Sequence, residues 1–476
     1  MKKRISLNIF IILFSIAICV ILQPFKFESF DSSKVLYLSV IASFNVVYFW
    51  ATTIKITKSW VNYNTLFLLG FLIVHFQIPF FASLGVEPYR PGFIWINKQV
   101  VNYAVWLSCL AILLWMLGYL FYLFKNWSKL NKLKQQNIPN YKINTKIVDY
   151  LLFILFIAFV GLVGEEFLAG SYDGGDNWGV GANYVFLILR VLLYLRIIYF
   201  FINTRNQKIT LNNFILKLFQ NKILFTVLLF YFLIFLFSGD RGPVLDILII
   251  TAVCYSLYQK KISLSYFLIA VFVGGLMLTI IGLGRNSDSS EKTAIFEEGF
   301  KNLSESELGF NPTYELASTN RILFRAIDVV PNSHPYLYGS TFASEIVGVV
   351  PFGGSTYMEI TNLPDMYKSS STFFTVLGQG KYYSYGEGSE ILGDIWINFG
   401  FYGVLILMFL MGIFISYINI NALFTYKHFF VIVYILLTVG ALYINRSHFL
   451  DPLKIIFYAF ILDKFLAKKT TYNVTT

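Results

Sequence analysis

Apolar runs of about 18 residues or more recur along this chain, and runs of that length read as membrane spans. Twelve spans are expected, near 5–22, 35–54, 63–84, 100–124, 147–163, 184–202, 223–237, 244–258, 262–283, 401–418, 429–444 and 449–466. Of the 476 residues, 57% are hydrophobic and only 13% are charged, whereas a soluble domain carries roughly a quarter charged residues. The fold class is therefore an all-α polytopic membrane protein with about 12 transmembrane helices. The opening "MKKRISLNIFIILFSIAICVILQPF" has the basic start and apolar run of a signal peptide. The run is long for one and no A-x-A-like site follows, so it is expected to stay as the first span.

The net charge of +11 must be divided by side of the membrane, because Lys and Arg collect in cytoplasmic loops. With the N-terminus inside, the even-numbered loops are inside as well. They include "KNWSKLNKLKQQNIPNYKINTK" and "TRNQKITLNNFILKLFQNK", neither with an acid, and the tail "KFLAKKTTY" joins them. Of 26 acids, only Asp149 and Asp463 then fall near the inner face. The reverse orientation breaks the positive-inside rule. The expected division is 1–283 with spans one to nine, 284–400 as a large extracytoplasmic loop, and 401–476 with the last three spans and a cytoplasmic tail.

A loop of that length is usually functional or disordered. The aromatic content of "STFASEIVGVVPFGGSTYMEI" and "SSSTFFTVLGQGKYYSYGEGSE" argues against disorder. No internal repeat is visible. Cys19, Cys109 and Cys254 all fall in expected spans, which leaves no disulfide framework or Cys-rich zinc site. The histidines form no metal-spaced pair, and no Gly-rich nucleotide loop of the Walker or dinucleotide type is present. No metal, cofactor or nucleic-acid partner is expected.

The stretch "FSGDRGPVLD", Phe237 to Asp246, interrupts two apolar runs. Pro243 suits a helix start. The helix would point its positive end, its free N–H groups and Arg241 at one spot, where an anion such as phosphate is stabilised. The plainer reading is a tight turn with Arg241 snorkelling to headgroups. The sides differ in their cations: nineteen Lys and two Arg inside, eight Lys and six Arg outside. Planar guanidinium forks suit bidentate phosphate contacts better than ammonium groups do. Arg241, Arg285 and Arg446 each lie near a span's outer end, so convergence at one depth is expected. Arg321 and Arg325 share a helix face by i, i+4 spacing. Arg190 lies inside a span and is a functional candidate on that ground; Arg196 is nearer the inner end and is expected to snorkel.

For a general base, His334, His448 and several carboxylates are available. His448 stands close to Arg446 in "NRSHFLDP", and its pKa is expected to fall, keeping it neutral as a base requires. Hydrogen bonding at the headgroup interface is the alternative. Asp240, Glu345, Glu387, Glu390 and Asp394 remain unranked carboxylate candidates. His75 and His428 are expected to face the membrane or the cytoplasm.

Taken in order, "SGDRGPVLDILI", "GLGR", "VVPFGG" before "FFTVLGQG", "YGEGSEILGDIWINFGFYGVLILMFLMG" and "NRSHFLDPLKIIFYAF" resemble the O-antigen polymerases, or oligosaccharide repeat unit polymerases. The resemblance covers roughly 140–466. It implies a metal-independent glycosyltransferase of the lipid-sugar (GT-C-like) architecture, set in the cytoplasmic membrane with its active site on the outer face. It implies undecaprenyl-pyrophosphate-linked glycans as substrates, and a chain-length regulator and a flippase as partners. Arg241, Arg285 and Arg446 look like the family's outer basic positions, with His448 or a loop carboxylate as the base. Asp240, Arg190, Arg321, Arg325 and Glu387 are candidates for substrate contact. Tyr382, Tyr383 and Tyr385 offer aromatic faces to sugar rings.

Two other functions compete. An O-antigen-type ligase shares fold and donor and differs only in acceptor. A lipid-linked oligosaccharide flippase is expected to have two similar halves and short loops, which the 284–400 segment and the absence of a repeat oppose. A membrane scaffold without enzymatic activity gives no reason for the sided arginines.

Overall fold

The structure, a computed structural model, describes residues 1–133, 141–168, 178–179, 181–207, 209–284, 299–301, 311 and 313–471. Each expected span carries a helix. In the first half these are Lys2–Ile21, Ser32–Thr57, Tyr63–Ser83, Val101–Leu133, Lys146–Leu162 and Ala182–Thr204. In the second half they are Lys222–Phe237, Gly242–Tyr258, Leu264–Gly284, Ile391–Phe424, His428–Gly440 and Pro452–Leu466.

Among the described residues, six helices are long and apolar enough to cross a membrane. A seventh crossing results if Asn213–Gln220 and Lys222–Phe237, bent by 108°, are one broken span. The shorter helices gather in the second half. The 13 residues of His428–Gly440 rise about 20 Å at 1.5 Å per residue, against a hydrocarbon core of about 30 Å.

Contacts between connecting segments sort them into two ends. At one end, Tyr141–Ile143 pairs antiparallel with Lys469–Thr471, Asn203 accepts from Ile143 N at 2.8 Å, and Trp60 N donates to Ile262 O at 3.1 Å. At the other end, Lys26 reaches Val330 O at 3.3 Å, Asn97 meets Asp328 at 2.7 Å and Tyr184 meets Phe352. We call the second end the loop-bearing end.

The two longest helices, Val101–Leu133 and Ile391–Phe424, lie along each other because glycines let their backbones touch. A Cβ on Gly118 would stand 2.1 Å from Phe409 O, and one on Gly412 would stand 2.0 Å from Trp115 O. Without a hydrophobic drive between helices in lipid, such close approach is what dispersion forces require. Ile391–Phe424 breaks at Gly400, whose φ of 63 suits glycine. Its first two turns thereby separate from the span and carry Asp394 and Asn398 under the loop-bearing end.

Over that end fold four short helices: Arg321–Val329, Ser340–Val347, Gly353–Thr361 and Ser370–Gln379. The first is strongly amphipathic. It buries Ile322, Leu323, Phe324, Ala326 and Ile327, with the Phe324 ring 5.9 Å from that of Trp95.

Candidate functional site: an arginine-lined cavity

The hairpin between Lys222–Phe237 and Gly242–Tyr258 is tight. Gly239 takes φ 76, and Asp240 Oδ1 accepts from Gly242 N at 3.3 Å. Pro243 opens the next helix within its first turn, where its missing N–H is harmless. The fold thus presents Arg241 at a helix N-terminus. Arg241 Nη2 donates to Glu315 Oε2 at 2.7 Å, and Arg446 Nη1 stands 3.8 Å from Glu315 Oε1. Arg446 belongs to the 3₁₀ turn Tyr443–Arg446. Two of the three arginines expected to converge therefore meet at one carboxylate. Arg285 lies outside the described residues.

Beside them is a cavity of about 250 Å³, lined by Arg190, Asp240, Asp246, Tyr443 and Asp451 among others. Inside it Arg190 pairs with Asp246. Arg190 Nε donates to Tyr194 Oη at 2.7 Å, and Tyr194 Oη donates to Asp246 Oδ2 at 2.6 Å. The arginine expected from its position in a span thus has a partner on Gly242–Tyr258. Sequence reasoning missed Asp246, although its signal was present: an acid within an apolar run is as notable as a cation there. Tyr194 carried no signal.

Pro243 and Pro452 both line the cavity, and each stands in the first turn of its helix. Two helix N-termini, with their positive dipole ends, thus meet the same space.

His448 sits next to this group. Its Nδ1 is 2.8 Å from Glu345 Oε2 and its Nε2 is 3.7 Å from Asp451 Oδ1. Burial opposes protonation, but Glu345, then Asp451 and Asp394, outweigh it and hold the imidazole pKa up at about 9. This corrects the expected neutral form. The charge state follows Glu345 and Asp394, brought by the fold, together with Asp451 three residues on in the chain, and the imidazolium is the species at neutral pH.

Arg321 and Arg325, spaced as expected on one helix face, both meet Glu387. Arg325 Nη1 is 3.4 Å from Glu387 Oε2 and donates to Phe374 O at 3.2 Å. The Arg321 guanidinium lies 4.1 Å from the centre of the Phe93 ring. Burial, then the Arg325 and Arg446 charges, pull Arg321 down to about 10, still charged at neutral pH.

The two arginine pairs differ in burial. Glu387 is 3% exposed and Glu315 is 54% exposed. An exposed ion pair is worth about 0–1 kcal/mol, so Glu315 yields easily to a stronger anion. Removing one partner of a buried pair costs about 3–5 kcal/mol, so Glu387 holds its arginines as part of the fold.

The remaining candidates separate by geometry. Tyr382 is 92% exposed, and Tyr383 and Tyr385 are about half exposed. They follow Ser370–Gln379, and Gln379 Nε2 donates to Tyr385 O at 2.8 Å. Glu390 is buried and caps its helix by accepting from Leu392 N and Gly393 N. Asp394 accepts from Phe449 N at 2.8 Å. His334 meets Tyr367 Oη at 3.1 Å. Of the unranked carboxylates, Asp240 lines the cavity and Glu345 holds the neighbouring His448.

Two further expectations are corrected. His75 does not face lipid; it is fully buried, 3.2 Å from Glu390 Oε1. His428 pairs with Asp463 at 2.7 Å. Arg196 does not snorkel, because its Nε donates to Asp149 at 2.6 Å and its Nη2 to Asn221 at 2.9 Å.

The family model described as O-antigen polysaccharide polymerase Wzy matches residues 217–463. The matched part contains the Arg241 hairpin, Glu315, Glu345, Arg446 and His448. No curated protein and no solved structure matches the chain.

Proposed function

This chain belongs to the O-antigen polysaccharide polymerase family, and from that premise we propose that it joins undecaprenyl-pyrophosphate-linked repeat units at the outer face of the cytoplasmic membrane. Family membership makes it a glycosyltransferase-type polymerase in a multi-pass membrane protein. The outward side, the lipid carrier, the full set of twelve crossings and catalysis without a metal are our reading. The single observation that carries it is the meeting of Arg241 and Arg446 at the exposed Glu315, beside a cavity faced by two helix N-termini.

In this reading the donor pyrophosphate takes the place of Glu315 on the two guanidiniums. An acceptor hydroxyl oxygen attacks the anomeric carbon of the donor. The new glycosidic C–O bond forms as the bond to the pyrophosphate oxygen breaks, and the electron pair leaves on the phosphate. Arg241, Arg446 and the His448 imidazolium face the growing charge, and fixed cations aimed at it stabilise it. With His448 already protonated, the hydroxyl proton passes to a carboxylate, and Glu345 is our choice. Arg190 is held towards the cavity by Asp246 and Tyr194. Arg321, Arg325 and Glu387 brace the short helix beside the site, and the exposed tyrosines offer faces to the glycan. A chain-length regulator and a flippase are the proposed partners.

The test supplies purified protein with lipid-pyrophosphate-linked repeat units alone, without nucleotide and with chelator. A ladder of longer lipid-linked glycans is expected. Unchanged substrate that instead crosses the bilayer in parallel liposomes would replace the enzyme with a transporter.

A further inference from the structure

The turn "GVVPFGG" between Ser340–Val347 and Gly353–Thr361 is an exposed apolar feature at the loop-bearing end. Ile346, Val347, Val350 and Phe352 are all exposed, Phe352 to 70%. The turn is built to hold that shape. A Cβ on Gly353 would stand 2.2 Å from Val347 O, and Phe352 takes a left-handed φ of 64, which a bulky residue seldom adopts. Contiguous apolar surface of this kind marks a contact with another apolar phase or partner.

The position of the turn identifies that phase. Phe352 N donates to Tyr184 Oη at 3.2 Å, and the two rings are 5.4 Å apart. Tyr184 stands in the first turn of Ala182–Thr204, one of the helices long and apolar enough to cross a membrane. The first turn of such a helix lies at the bilayer boundary, where Tyr and Trp collect. Lys454 Nζ lies 5.8 Å from the centre of the same Tyr184 ring, which places a cation at headgroup level. The apolar turn is therefore continuous with the lipid-facing surface of the spans. It also adjoins the arginine-lined cavity, whose lining includes Phe186 and Ile455, close neighbours in the chain of Tyr184 and Lys454.

We infer that the turn Val347–Phe352 inserts into the bilayer interface and forms a lipid-embedded lip of the arginine-lined cavity. Its occupant is the acyl and headgroup boundary of one leaflet. If the cavity holds a lipid pyrophosphate, as proposed above, this is the side from which that lipid arrives. The insertion itself does not depend on that reading.

The experiment uses the full chain in phosphatidylcholine–phosphatidylglycerol nanodiscs with no glycan substrate. An NBD fluorophore is attached to Val350→Cys and, separately, to Ile346→Cys, with Tyr382→Cys as a water-exposed reference. The native cysteines are buried and do not compete for label. At positions 350 and 346, blue-shifted emission is expected, with loss of intensity when acyl chains carry nitroxide and protection from aqueous iodide. Position 382 is expected to behave in the opposite way. Iodide quenching at 350 and 346 equal to that at 382, or protection from both quenchers as a protein partner would give, overturns the inference. Because no turnover is measured, this outcome is separate from any failure of the polymerase reading.

Discussion

Arg241 Nη2 donates to Glu315 Oε2 at 2.7 Å, a contact that fastens the tip of one helical hairpin to the long segment preceding Ile391–Phe424. Arg446 approaches the other oxygen of that carboxylate. Glu315 is more than half exposed, so it holds the guanidiniums apart and aimed without binding them tightly. A doubly charged phosphate competes well for such a place, because two planar forks can each bind it bidentately.

Arg241→Lys is therefore expected to keep the protein in the membrane and to lose roughly ten-fold to thousand-fold in rate, the range for one transition-state donor. Glu315→Gln is expected to change the rate far less. Rates of ladder formation on lipid-linked repeat units measure both, and near-normal turnover by Arg241→Lys would reduce the hairpin to a turn.

Arg190 and Asp246 form a pair between two helices, with Asp246 buried and Arg190 partly open to the cavity. Asp246→Asn leaves the guanidinium without its counter-charge and is expected to destabilise the protein by about 1–3 kcal/mol. Replacing both by apolar residues, Arg190→Met with Asp246→Leu, is expected to restore much of that stability while activity stays low. Thermal unfolding in detergent, read beside turnover, separates the two effects.

The His448 imidazolium is stabilised by the fold, since its pKa lies near 9 instead of 6.5. A raised folded pKa contributes stability that is complete below pH 6.5 and lost as pH rises through 9. At 1.36 kcal/mol per unit the contribution is at most about 3 kcal/mol. Wild type is expected to lose stability across that window, and His448→Gln is expected to show a flatter profile. Equal slopes in pH-resolved melting curves would contradict the ion pair with Glu345.

Gly118 and Gly412 set the contact between the two longest helices. Either glycine changed to Ala drives a methyl group into backbone oxygen and is expected to destabilise by about 1–3 kcal/mol, the range for overpacking. Gly274, with no neighbour within reach of a Cβ, is the matched control for Gly→Ala melting shifts.

Orientation rests on charge asymmetry and is tested by labelling single cysteines in intact cells with a membrane-impermeant reagent. Tyr382→Cys is expected to react and Ser128→Cys to stay unlabelled. The reverse pattern would move the arginine site to the cytoplasm.

Apolar length and local spacing made the helices legible in the sequence. They located a helix in each of the twelve runs, the Pro-started helix after Arg241, and the shared face of Arg321 and Arg325. These features are decided within a few residues, by transfer of apolar side chains out of water and by the period of the α-helix. Charge counting, also a property of the chain alone, assigns one set of loops to the cytoplasm, and the labelling experiment tests that assignment. Partnership was not legible. Asp246 for Arg190, Asp149 for Arg196, Glu387 for the Arg321 pair and Glu345 for His448 all come from distant segments, and no periodicity links them. The charge of His448 shows the limit most directly: its chain neighbour Arg446 argued for a neutral ring, and Glu345 and Asp394, gathered by packing, joined Asp451 three residues on in making it a cation. Only the tertiary structure decides such matters, because the field at a buried group is set by whatever folding brings within a few ångströms of it.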